Sequence, residues 1–209
     1  MIGQRPSRET IMTTLYDTLV AATQTQFTAT LKIGDPTLYV PSTMANILVG
    51  LPVVGVGIPA LTTIASLSPL TMSAPAVANG LNVACTAGVL TVGRRLRPWG
   101  EVAAQPALFL RDTEEELEYL NIILQRQTIK AEVFLYAQSG NDPNVTGGTA
   151  LNNLIDSIQA ALAPDDPSTG RFTLGGLVEW CRLEGRVDKE PGDLDGQAMA
   201  MAEILITVP

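Results

Sequence analysis

Three groups of residues carry side chains able to do chemistry. The first is an acidic run, Asp112, Glu114, Glu115, Glu116 and Glu118 in DTEEELE. The second is a basic cluster, Arg94, Arg95 and Arg97, followed at once by Trp99. The third is a polar stretch, DKEPGDLDG, carrying Asp188, Glu190, Asp193 and Asp195. Carboxylates at such density can bind a hard cation, pair with arginines, or simply face water. The third group invites a calcium reading, but it lacks the twelve-residue spacing and closing glutamate of an EF-hand. It reads better as a hairpin that orders against a partner. Gly147-Gly148 and Gly175-Gly176 are not phosphate loops, because neither is followed by the Lys and Ser/Thr that such a loop needs.

Histidine is absent from all 209 residues. That removes the commonest general base, the usual triads and every His-containing zinc site. The two cysteines, Cys85 and Cys181, are far apart and read as buried free thiols, in keeping with synthesis in a reducing compartment. No nucleophile stands beside a plausible base in any segment, so the expectation is a non-enzyme with no cofactor and no bound metal. A net charge of −8 disfavours a broad nucleic-acid-binding surface, which needs clustered Lys and Arg to displace counterions.

The elements that must position these groups fall into two kinds of material. Pro36–Gly93 is a run of 58 residues without one Asp, Glu, Lys or Arg. Within it, Ile47–Leu67 approaches a membrane span in length, yet Pro52, Pro59, Gly50, Gly55 and Gly57 interrupt it, which argues against a helix. The run reads instead as short strands, Leu38–Val40, Ile47–Leu48, Thr62–Ser66, Leu70–Ser73 and Asn82–Leu90, closing into a small barrel or sandwich. The N-terminal MIGQRPSRETIM lacks the apolar core of a signal peptide.

The charged remainder reads as α+β. Ser7 caps a helix to about Ala22, whose stripe is Ile11, Leu15, Leu19 and Ala22. A strand is expected at Phe27–Leu31, an extended piece at Val92–Trp99, and a strand at Pro106–Arg111. Leu117–Leu124 and Thr128–Ala137 read as hairpin arms around Gln125–Gln127. In the second arm Ile129, Ala131, Val133 and Leu135 alternate with Lys130, Glu132, Phe134 and Tyr136. A second helix, capped by Thr149, carries Leu151, Leu154, Ile155, Ile158 and Leu162 on one face. Strands at Leu177–Leu183 and Ala198–Val208 follow, joined by a polar loop at Glu184–Gln197. The expected architecture is a mixed or antiparallel sheet bearing two helices (residues 1–32 and 94–209) with an all-β module inserted at 33–93.

Several segments carry a family resemblance. They are RRLRPW…QPALFLRDTEEE (94–116), KAEVFLYAQSG (130–140), GGTALNNLIDSIQAAL (147–162), TLGGLVEWCRLEG (173–185) and LDGQAMAMAEILITV (194–208). In this order they resemble the tail-terminator, or tail-completion, proteins of long-tailed bacteriophages. Gly50–Gly88, with its G-x-x-V-x-G-x-G-I-P opening, resembles a β-module of tailed-phage structural proteins. The resemblance implies a virion protein of the head–tail junction, assembled in the host cytoplasm. It implies a homo-oligomeric ring, most simply a hexamer, that caps the tail tube, ends its growth and meets the head connector. DNA would pass through such a ring without tight binding. Under this reading Arg94, Arg95, Arg97 and Trp99 meet Asp112, Glu114, Glu115 and Glu116 across a subunit boundary, and Asp188, Glu190, Asp193 and Asp195 contact a partner. The same residues also read as solvated charge and ordinary core. A neck, collar or decoration protein whose β-insertion is a binding module is the other function class. Whichever holds, joints near Ile33–Pro36 and Thr91–Gly93 imply a module that can be excised.

Overall fold

The computed structural model describes residues 5–40, 47, 49–102, 104–119, 125–138, 148–166, 168–190, 192 and 196–208. The chain opens with helix α1 (Arg8–Thr23), and Ser7 caps it by accepting from the Thr10 N–H at 3.1 Å. Ten strands follow in chain order: β1 (Gln24–Leu31), β2 (Val53–Gly55), β3 (Ile64–Leu67), β4 (Leu70–Met72), β5 (Gly80–Gly88), β6 (Thr91–Gly93), β7 (Ala107–Tyr119), β8 (Gln125–Gln138), β9 (Trp180–Glu190) and β10 (Gln197–Val208). Helix α2 (Gly148–Ala161) lies between β8 and β9, with Thr149 in its first turn.

The larger sheet has the order β6-β7-β8-β10-β9 and is antiparallel except for β6, which runs parallel to β7. Both helices cover one face of it. The expected alternation of β8 holds: Ile129, Ala131, Val133 and Leu135 are buried under the helices, in one core with Leu15 and Leu19 of α1 and Leu151, Leu154 and Ile158 of α2. Side chains of successive strand residues point to opposite faces, so Phe109, Phe134 and Tyr136 fall on the other side. There Val102, Trp99 and Leu96 close a second, smaller apolar cluster over Phe109 and Tyr136.

The charge-free run, joined by β1, folds as two small sheets, β1-β5-β2 and β3-β4, around a separate apolar cluster that includes Leu31, Leu38, Val53, Ile64 and Met72. Ile47–Leu67 holds β2 and β3 rather than a helix, and among the described residues no helix is long and apolar enough to cross a membrane. The expected strands at Thr62–Ser66, Leu70–Ser73 and Asn82–Leu90 correspond to β3, β4 and β5, each shifted by a residue or two. Leu38–Val40 makes only an isolated bridge, Tyr39 to Thr30, and Leu48 lies outside the described residues.

Strand pairing draws the seam between the two parts somewhere unexpected. β1, placed by sequence in the larger body, pairs along most of its length with β5 of the charge-free run, from Gln24↔Gly88 to Leu31↔Gly80. β6, placed at the end of the insertion, joins the larger sheet beside β7. The two chain crossings are adjacent: the Val89 N–H donates to the Thr23 carbonyl at 2.9 Å, and the Gln24 side-chain amide donates to the Val89 carbonyl at 2.7 Å. Gly88 makes that approach possible. Its φ is +96°, and a Cβ there would lie 2.2 Å from the Thr23 carbonyl oxygen. Among the described residues, Leu51 reaches from the module loops into the larger core, which also holds Val89 at the seam.

Both cysteines are buried and free. Burial pushes the Cys181 thiol up to about 12, so it stays protonated and inert at neutral pH.

Candidate functional site

The acidic run, which lies between the expected strands Pro106–Arg111 and Leu117–Leu124 and overlaps the second, is the distal half of the single strand β7. β6 accompanies β7 from Ala107 to Phe109, so among the described residues the strand from Leu110 to Tyr119 has β8 on one side and no strand on the other. Arg111 to Tyr119 are nine consecutive exposed residues. Gln125–Gln127, expected at the turn, belong to β8 and pair with Tyr119, Glu118 and Leu117.

A bulge at Thr113 decides which way the acids point. Asp112 pairs with Ala131 and Glu114 with Lys130, so Thr113 is the extra residue. After it, Glu115 and Leu117 share the helix-bearing face with Ile129 and Gln127, while Glu114, Glu116 and Glu118 share the opposite face with Lys130, Thr128 and Arg126. On the helix side Arg8 of α1 forms an ion pair with Glu115, to which the Gln127 amide also donates at 2.9 Å. The hydrogen bond from Arg8 holds the Glu115 carboxyl below the usual carboxylate range. On the other side Lys130 pairs with Glu114 at 2.8 Å. The side chains of Asp112 and Glu116 make no hydrogen bond or ion pair among the described residues. Unpaired edges invite association, and a bulge plus dense charge is how sheets restrict which strands can join them.

Within one chain the basic cluster does not meet the acidic run. Arg94 turns to Glu9 of α1, lowering the Glu9 carboxyl through that hydrogen bond. Arg97 makes a loose pair with Glu101 at 3.5 Å, both largely exposed. Arg95 is exposed and has no hydrogen bond or ion pair among the described residues. Trp99 lies half-buried against Tyr136, ring centroids 5.2 Å apart, and the Tyr136 hydroxyl donates to the Arg97 carbonyl at 3.1 Å. Trp99 thus serves the small core on the open face of the sheet.

The second tryptophan has a setting that its sequence context did not reveal. The Arg182 guanidinium lies 3.6 Å from the Trp180 ring centroid and that of Arg171 5.4 Å away. Arg171 and Arg126 share Glu179, at 2.8 and 3.4 Å. Alternation along β9 places Trp180 and Arg182 on one face, a signal present in the sequence. Arg126 and Arg171 come from other parts of the chain, and no local spacing announces them.

Asp188 and Glu190 lie not in a loop but on β9, which extends through residues expected to be irregular. Asp188 pairs with Arg186 at 2.6 Å. Asp193 and Asp195 fall outside the described residues. Among the described residues no three His, Cys, Asp or Glu side chains are grouped to hold a metal ion. An open groove of about 730 Å³ lies between α1 and α2, lined by Thr18, Ala21, Ala22, Asn153, Asp156 and Ser157 among others. Asp156 is the one charged residue among the described lining residues and has no acid–base partner among them. No protein-family model matches the chain, and no curated protein sequence does.

Proposed function

We propose that this chain is a structural assembly protein of a phage head–tail junction, forming a ring that caps the tail tube, ends its polymerisation and joins the tail to the head connector. The observation that carries the reading is the bare, acidic edge of β7. A ten-residue strand edge beside a packed core is a surface waiting for a strand or a subunit, whereas the residues described around the α1–α2 groove form no reactive constellation. The sequence resemblance supplies the particular assembly, a ring of six subunits built through the β7–β8 hairpin or its neighbouring edge. Sedimentation and particle imaging of the purified protein, alone and with tail tubes, should give rings seated at tube ends. A monomer at high concentration and in assembled particles would sink the proposal.

DNA passes through such a ring, and the wall it meets is neutral or acidic, in keeping with a net charge of −8. The purified protein should therefore show no tight, salt-sensitive retention of duplex DNA in filter binding. Nanomolar binding that weakens steeply with salt would contradict the acidic conduit.

One observation favours the second function class, a binding or decoration module. The charge-free run exposes large apolar side chains, among them Val56 at 85%, Leu61 at 90% and Leu81 at 82%. Such side chains mark a contact site where they gather into one contiguous patch. In the ring reading the module projects outward, away from the DNA.

A further inference from the structure

We infer that copies of this chain clasp one another head to tail, the apolar tip of the charge-free module of one copy seating in the groove between α1 and α2 of the next. The inference rests on the ring reading and adds a second contact to the one through the β7–β8 hairpin.

Three loops build the tip at one end of the module. The Gly34 N–H donates to the Ala76 carbonyl and the Val77 N–H to the Gly57 carbonyl, both at 2.9 Å. The Ile33 N–H donates to the Asn79 side chain at 2.8 Å, and Gly80 stands opposite Leu31 in the β1–β5 pair. Ile33, Val56, Val77 and Leu81 are thereby brought to the same end, and each is more than half exposed. Apolar side chains gathered in this way mark a contact surface. Apart from Lys32 and Asp35 at its base, the tip is drawn from the charge-free run, so covering it strips water from no ion there.

The groove is the complement of that tip. Short side chains on the facing helices, among them Ala21, Ala22, Ala160 and Ala161, leave its 730 Å³ open. That space lies within the range of about 300–1,000 Å³ in which pockets take up small apolar groups. Charge agrees with shape. Asp156, on the groove wall, has no ion pair among the described residues. Lys32 borders the tip beside Ile33, its ammonium 4.3 Å from the Tyr39 ring centroid and likewise without an ion pair among the described residues. Asp35 is already engaged, accepting from the Thr37 N–H and the Tyr39 hydroxyl, each at 2.8 Å. Lys32 is thus the charge left to meet Asp156 of the neighbour.

One copy cannot close this contact on itself. Ala21 and Ala22 lie in the last turn of α1, and β1 then carries the chain away from them. β1 has eight residues, hence seven rises of about 3.3 Å and a length of roughly 23 Å, which separates the tip from its own groove. Tip and groove are different surfaces, so the contact is head-to-tail. A head-to-tail contact that repeats closes into a ring or continues as a filament, and does not stop at a symmetric pair.

The test measures self-association of the full chain by sedimentation. Val56→Asp at the tip and Ala160→Arg in the groove both fall at exposed positions and leave the cores untouched. Each should weaken association about tenfold or more, because a charge is set into an apolar contact. Leu81→Asp replaces the tip variant if circular dichroism shows Val56→Asp to be unfolded. Equal parts of the tip and groove variants retain one sound tip and one sound groove, so mixed pairs should form more tightly than pairs of either variant alone. Lys32→Glu and Asp156→Lys should each weaken association about threefold, and the double exchange should recover most of that loss. Wild-type association in both the tip and the groove variant, no gain on mixing, or no recovery in the double exchange would each overturn the clasp while leaving the ring reading in place. A wild-type chain that stays monomeric throughout would overturn the ring reading, and the clasp with it.

Discussion

Replacing Gly34–Val92 with a short Gly-Ser linker is expected to yield an insoluble chain, whereas replacing Thr25–Gly88 is expected to leave a folded body. The first cut follows the charge boundary and the second follows the hydrogen bonds. Cutting at Gly34 removes β5 but keeps β1, so the edge of β1 loses its main partner and Leu31 loses the apolar cluster that buries it. It also removes Thr91 and Val92 of β6, which cover β7 at Ala107 and Leu108. Exposed apolar strands with free edges aggregate. The second cut takes the small sheets whole and joins Gln24 to Val89, which are already held by a side-chain hydrogen bond of 2.7 Å. Its cost is the buried Leu51 side chain, roughly 1.5–3 kcal/mol of apolar burial. Soluble yield and circular dichroism of the two products decide the matter. A folded product from the first cut, or an unfolded one from the second, would show that the seam lies elsewhere. The same second-cut body, assayed for rings, separates the two function classes.

Leu135→Ala is expected to destabilise the larger body by about 2–5 kcal/mol, against almost nothing for Leu61→Ala. Leu135 is 1% exposed at the centre of β8, flanked in register by Leu108 and Ala200. Its surroundings on β10 are Ala198, Ala200 and Ala202, too short to move into the space left behind. The helices can lie close to β10 because those residues are alanines. The reverse change, Ala200→Leu, should therefore also destabilise, by about 1–3 kcal/mol, through overpacking. Leu61 is 90% exposed and touches no core. Urea midpoints for the three variants test the ranking. A Leu135→Ala midpoint equal to wild type would mean that the helices do not lie on this face of the sheet.

The elements governed by local periodicity were legible from the residues alone. Ile11, Leu15 and Leu19 repeat at helical spacing, Leu151, Leu154, Ile155 and Ile158 likewise, and both sets are buried. The alternation of β8 over Ile129–Leu135 named its buried face correctly, because a strand between two neighbours must hide one side. The charge-free run marked a distinct module for a similar reason: its backbone turns at Gly and Pro, and its small core takes no charge.

What the sequence left undecided depends on partners far along the chain. DTEEELE carries no apolar alternation, so nothing local makes it a strand. Its extended form comes from pairing with β8, and the direction of each carboxylate comes from the bulge at Thr113. Arg94 sits 85 residues from Glu9 and finds it because β6 runs past α1, not because of any spacing. β1 joins β5 across the whole module, a pairing that the charge boundary at Pro36 concealed. The apolar tip of the module likewise exists only in the fold, since Ile33, Val56, Val77 and Leu81 gather when three loops bond to one another. Side-chain period is a property of neighbouring residues, whereas register is set by the whole sheet and its buried face.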